Sequence, residues 1–248
     1  MIKLSVVVGL TLVALSPVTA LADVCLGNCG TLGPNGVVTA SPFSPTYQYV
    51  TTNGGLTGAG EISSVGGTNG SSLTTTPFAV TAGSQLQFYF NYVTSDGAGY
   101  ADYSWAELQT ALGAHVAWLF TARTEASGNT SPGVGLPAND STLMPPTSAI
   151  IPGGPVFSPL GSYSGLCFSA GCGYTGWIGS QYTIAAAGAY QIEFGVTNWA
   201  DTLYDSALAF NGETINGVPI SGTPEPSAFL LFGTVVGALA LVRRRRQA

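Results

Sequence analysis

Leu86–Val93 reads LQFYFNYV, and its alternation decides the fold class. Leu86, Phe88, Phe90 and Tyr92 fall on one face of an extended chain, with Gln87, Tyr89 and Asn91 on the other. A helix would scatter these rings around its circumference; a strand gathers them into one apolar face. Tyr190–Thr197, YQIEFGVT, repeats the pattern. Tyr190, Ile192, Phe194 and Val196 oppose Gln191, Glu193 and Thr197, and Gly195 disfavours a helix further. Between the two lies DYSWAELQTALGAHVAWLFTA, Asp102–Ala122. Its first half, Tyr103–Leu112, contains good helix formers, but Gly113 and the alternation of Val116, Trp118 and Phe120 predict a hairpin. Further short strands are expected near Thr46–Thr51, Phe78–Val80, Tyr182–Ala185, Ala207–Phe210 and Ile215–Val218. Thr51–Thr76 and Asn129–Pro159, rich in Gly, Ser, Thr and Pro, read as long loops. No internal repeat or break in composition marks a second core. The expectation is an all-β chain with one β-sandwich or jelly-roll domain over residues 23–222.

The ends differ from this domain. Lys3, the apolar stretch Val6–Leu15 and the small-x-small site Ala20-Leu21-Ala22 predict a secretory signal peptide over residues 1–22. At the other end, Ala228–Val242 is uncharged and Arg243, Arg244, Arg245 and Arg246 follow it. The run is shorter than the about 20 residues of a comfortable helical span, but snorkelling arginines lengthen its reach. A short transmembrane helix is expected, with the arginines on the cytoplasmic side. Pro224-Glu225-Pro226 precedes it and stays extended, because proline on both sides of Glu225 forbids helix and sheet.

Removing both ends changes the charge. The whole chain carries −6, but Asp23–Pro224 keeps one base, Arg123, against eleven acids, a formal charge of about −10. So acidic a surface cannot neutralise a phosphate backbone, which excludes nucleic acid as a partner. Nor can it hold anionic lipid electrostatically. Cys25, Cys29, Cys167 and Cys172 all lie in the exported part, where disulfides are expected. The local pairs Cys25–Cys29 and Cys167–Cys172 are favoured, since each would pin a Gly-rich loop. Cross-pairing, or four thiolates on zinc, are the alternatives.

Acids are few and clustered. Asp96 and Asp102 flank GAGYA, and Asn198, Asp201 and Asp205 follow the Tyr190 strand. If the two loops meet, Asp96, Asp102, Asp201 and Asp205 supply the oxygens of a structural calcium site; otherwise they start turns and cap loops. Two carboxylates can also hydrolyse a glycoside, but nothing in the sequence sets their separation. His115, the single histidine, reads as a surface residue on the strand face opposite Val116, Trp118 and Phe120, without a Gly-x-Ser-x-Gly partner. Trp105 and Trp199 read as packing residues. Tyr100, Tyr174 and Trp177 are candidate glycan contacts, because an exposed aromatic face stacks on the C–H face of a sugar.

Two resemblances rest on these residues. The tail Pro224-Glu225-Pro226, apolar helix 228–242 and arginines 243–246 resembles the PEP-CTERM sorting signal of Gram-negative bacteria. It implies export through the inner membrane, with signal peptidase acting at the N-terminus and a membrane-embedded exosortase removing residues 223–248. LQFYFNYVTSDGAGYADYSWAEL and YQIEFGVTNWADTLYDSALAFNG resemble hallmark segments of choice-of-anchor exported β-sandwiches, with Asp96, Asp102, Asp201, Asp205 and Ser206 at matching positions. The expected role is therefore non-catalytic: a surface or extracellular-matrix protein, structural or adhesive, associated with exopolysaccharide. A specific glycan-binding module is the alternative among binding proteins. A secreted glycoside hydrolase using two carboxylates is the alternative from another class.

Overall fold

The alternation becomes strands throughout. A computed structural model describes residues 22–220, so the signal segment up to residue 21 and the Pro-Glu-Pro tail lie outside the described residues. In chain order the first strands are β1 (Val24–Leu26), β2 (Asn28–Leu32), β3 (Tyr47–Thr51), β4 (Leu56–Thr57) and β5 (Asn69–Thr74). They are followed by β6 (Phe78–Val80), β7 (Gln85–Thr94), β8 (Tyr103–Thr110), β9 (His115–Arg123), β10 (Thr142–Met144) and β11 (Ile151–Pro152). The last are β12 (Gly173–Tyr174), β13 (Ile178–Thr183), β14 (Gly188–Thr197), β15 (Ser206–Ile215) and β16 (Val218–Pro219).

They form two antiparallel sheets. The first runs β1-β5-β14-β8-β9, with β4 on β5 and β6 on β14; the second runs β10-β13-β7-β15-β3-β2, with short strands β11, β12 and β16 at its margins. The inward faces supply the core. Leu86, Phe88, Phe90 and Tyr92 of β7 are fully buried, as the alternation requires. Phe90 stacks on Phe120 across the sandwich at 3.7 Å, Phe194 on Phe210 at 3.9 Å, and Phe88 meets Phe194 edge-on at 5.3 Å. Each such ring removed from water contributes about 2–3 kcal/mol. The outer face of the second sheet is covered as well, by a smaller layer in which Val38, Tyr47, Phe157 and Leu160 pack over Val93, Ala207 and Ala209.

Four expectations are corrected. Thr51–Thr76 is not all loop: Asn69–Thr74 is β5, an interior strand of the first sheet between β1 and β14. Its Gly-Ser-Ser run lacks apolar bulk because there is no room for it; a Cβ on Gly70 would sit 2.2 Å from the Val196 carbonyl oxygen. Ile215–Val218 is a hairpin turn, with Asn216 and Gly217 at positive φ (51° and 78°) between β15 and β16. Asn-Gly supplies the backbone twist that such a two-residue connection needs. The strand expected at Tyr182–Ala185 is the end of β13, which stops at Thr183. The hairpin over Asp102–Ala122 is present as β8 and β9, but two register shifts interrupt β9. They turn Phe120, Leu119 and Ala117 into the core and place Trp118 on the same outer face as His115, their rings 5.0 Å apart. Trp118 therefore does not share a face with Phe120.

Candidate functional site

The outer face of the first sheet carries the most distinctive chemistry. Trp105 of β8 lies flat over β14, possible only because residue 195 is glycine: a Cβ there would come within 2.4 Å of the indole. A loop over residues 58–66 closes over one edge. Trp105 Nε1 donates to the Gly60 carbonyl at 2.8 Å, Ile62 N donates to the Tyr103 hydroxyl at 2.9 Å, and that hydroxyl donates to the Gly66 carbonyl at 2.6 Å. Beyond this wall opens a cleft of about 370 Å³ whose lining includes Glu61, Trp105, Glu107, His115, Trp118 and Glu193.

Strand register fixes the polar floor. Glu107 and Glu193 stand directly opposite each other on β8 and β14, with Gln109 opposite Gln191 one step along the same face. The Gln109 amide donates to Glu107 Oε2 at 3.1 Å and to Glu193 Oε2 at 2.7 Å, and its own oxygen accepts from Gln191 Nε2 at 2.9 Å. His115 Nδ1 contacts Glu107 Oε1, and its imidazole is half exposed. Trp118, partly exposed, is wedged between His115 and Trp105, meeting Trp105 edge-on at 5.7 Å. The result is a pair of carboxylates, held by the Gln109 amide, beside a partly exposed indole. Arg123 is the single Lys or Arg among the described residues, and it does not line this cleft. Its guanidinium sits over the Trp199 ring at 4.8 Å and its Nε donates to the Ala101 carbonyl at 3.0 Å.

Of the four aspartates named from the sequence, Asp96, Asp102 and Asp201 lie close enough for their charges to interact. Their strands β7 and β14 belong to different sheets, yet the pairings β7–β15 and β8–β14 bring the two loops together. Asp102 is fully buried, accepting from Trp199 N at 2.9 Å and from the Ser206 hydroxyl at 2.6 Å. Asp205 accepts from the Thr52 hydroxyl at 2.8 Å, and Asp201 accepts from Leu203 N at 3.0 Å. Asp96 accepts from Gly97 N at 2.6 Å through one oxygen, while its buried Oδ2 has no hydrogen-bond partner. Burial pushes Asp96 up to about 7 and Asp205 up to about 6, and the charge of Asp201 adds to the rise at Asp96. Asp102 is raised well above the ordinary carboxylate range by burial, with Asp96 and Asp201 adding. Among the described residues no three His, Cys, Asp or Glu side chains converge as a metal-ligand group. The hydrogen bonds of Asp102 and Asp205 join loops and strand ends, the ordinary work of acids at the end of a sandwich.

The expected aromatic contacts are dispersed. Tyr100 meets Phe168 edge-on at 5.4 Å, on the loop closed by Cys167. Tyr174 and Trp177 pack against the covering layer of the second sheet, where Trp177 meets Tyr47 at 5.6 Å and its indole donates to the Thr39 carbonyl at 3.1 Å. Among the described residues no ring contact joins Tyr100 to either of them. Trp105 is buried and Trp199 packs against the same outer cluster. The cysteines form the two local pairs, Cys25–Cys29 and Cys167–Cys172, leaving no thiolate for zinc. Such pairing suits folding in an oxidising compartment.

Nothing in the sequence marks Glu107, Gln109, Trp118, Gln191 and Glu193 as neighbours. Outward positions on Tyr190–Thr197 were legible, but their juxtaposition depends on which strand pairs with which. The shifts in β9 that deliver Trp118 to this face leave no mark in the alternation.

Comparisons of the chain with protein-family models, curated proteins and solved structures give no match. The class is set by fold and site: an all-β, two-sheet protein with two short-range disulfides and an acidic cleft beside a tryptophan.

Proposed function

We propose that the protein is an exported surface or matrix component that holds polysaccharide without cleaving it, and that the outer-face cleft is where it does so. The observation that carries this reading is the Gln109-bridged floor beside Trp118. A sugar ring lies with its C–H face on an indole while its hydroxyls donate to carboxylates and exchange hydrogen bonds with amides. The cleft offers Glu107 and Glu193 for that purpose, aligned by the sheet and held by the Gln109 amide.

A hydrolase is the second reading, because two carboxylates face one cleft. Glycosidases separate the pair into a protonated acid and an ionised partner. Here one amide group donates to both carboxylates, which gives them like rather than opposed surroundings and supports binding over cleavage. Release of reducing ends from the polysaccharide on prolonged incubation would move the balance to the hydrolase.

The rest of the proposal concerns place. The signal segment, the Pro-Glu-Pro motif and the arginine cluster support export by signal peptidase cleavage, transient anchoring in the inner membrane and release by exosortase to the cell surface. Structural calcium belongs to the same reading. The orphaned Asp96 Oδ2 is a hard oxygen ligand, and loop carbonyls would have to complete the shell. Co-sedimentation of the full chain with the producing cell's exopolysaccharide, with calcium and with EDTA, tests both parts. Binding is expected, stronger with calcium; no binding in either condition would leave a self-assembling structural protein. An unchanged melting temperature in EDTA and in excess calcium would remove the ion.

A further inference from the structure

Resting on the reading that the outer-face cleft holds a glycan, we propose that the sugar it selects is cationic: a hexosamine unit whose nitrogen is a free ammonium rather than an acetamide.

The floor of the cleft is electrostatically unbalanced. Glu107 and Glu193 are direct cross-strand neighbours, and like charges in that position repel. Glu61 lines the same cleft from the covering loop, and among the described residues no Lys or Arg lines it. Gln109 offsets part of the repulsion by donating to both carboxylates, but an amide is neutral and brings no countercharge. Among the described residues His115 is the one cationisable neighbour, and its Nδ1 is engaged with Glu107. Glu193 therefore has an amide partner and no cation. A protein designed only to fold would set a base or a hydroxyl opposite one of these carboxylates.

An ammonium on a sugar ring answers each feature. Its three N–H donors match carboxylate oxygens on two strands, and a charge-assisted bond to carboxylate is stronger than one from a neutral hydroxyl. The ring body lies against the exposed part of Trp118, whose indole face also attracts a nearby cation. A uronic acid would meet three carboxylates and be repelled. A neutral sugar would leave the imbalance unchanged. The formal charge of about −10 on Asp23–Pro224 further steers a polycation toward the domain.

The test is calorimetric titration of the full chain, kept in mild detergent at about pH 6. The probes are the hexamers of glucosamine, N-acetylglucosamine and glucose. The glucosamine hexamer is expected to bind at least about tenfold tighter than the other two. That preference should shrink with added salt, as a charge-based contact requires. Glu193→Gln, a near-isosteric change on a partly exposed side chain, should erase the preference while leaving the melting temperature in place. Equal affinity for the three hexamers would overturn the cationic selection and leave the glycan reading standing. A preference unchanged in Glu193→Gln would place it outside this cleft and overturn the inference as well. Binding of none of the hexamers would overturn it too, and the glycan reading itself would then stand or fall on the exopolysaccharide assay.

Discussion

Single residues of this sandwich are held in unusual circumstances, and Asp96 is the clearest. Its carboxyl is buried with one oxygen unpartnered, and burial followed by the charge of Asp201 raises it to about 7. The folded state therefore binds this proton more tightly than the unfolded chain, whose aspartate titrates at about 4. Stability is fully present below the unfolded value and falls as pH rises from about 4 to about 7, then levels off. Asp205, raised to about 6, and Asp102 act in the same direction. Asp96→Asn keeps the acceptor for Gly97 N and removes the titration. In EDTA it should raise stability by about 1–3 kcal/mol at pH 7.5 and leave it unchanged at pH 4, read from denaturant midpoints at each pH. Gly195 is constrained by space instead. Gly195→Ala pushes a methyl into Trp105 and should cost about 1–3 kcal/mol, with a lowered melting temperature as the readout.

At the scale of elements, the long strands were legible and the short ones were not. β7 and β14 follow from alternation alone, because each presents a complete apolar face to the facing sheet. β5 escaped because a strand flanked this closely takes glycine and serine, which also compose loops. The Asn-Gly turn at 216–217 is a plain hairpin signal, but the apolar residues that flank it, Ile215 and Val218, also read as strand. The bulged β9 was legible as a strand but not in which side chains it turns outward, and the cleft depends on that detail. The acid cluster was legible because acids are rare here; the pair that faces the cleft was not, because it needs the β8–β14 register. The Cys167–Cys172 bridge closes the loop that carries Phe168, against which Tyr100 and Tyr204 rest. Replacing both cysteines by serine should cost about 2 kcal/mol by loop entropy and leave cleft binding intact, since the loop does not line the cleft.

At the scale of the whole molecule, the protein is proposed to be an acidic sandwich carried outward by its ends and held in a matrix by one face. Intact mass of the protein from its producing cell is expected to lack the signal segment and the residues after Pro-Glu-Pro; a mass retaining all four arginines would make it an ordinary tail-anchored protein. The cleft is the part of the account with the most chemistry at stake, and Trp118 is the residue on which a sugar would rest. The most direct measurement is therefore the dissociation constant for exopolysaccharide of the full chain and of Trp118→Ala, with melting temperatures measured in parallel. Loss of one stacking face should weaken binding about 5- to 150-fold, given about 1–3 kcal/mol for such a contact, while the fold persists. Equal affinity in the two proteins would contradict the assignment of this cleft as the polysaccharide site.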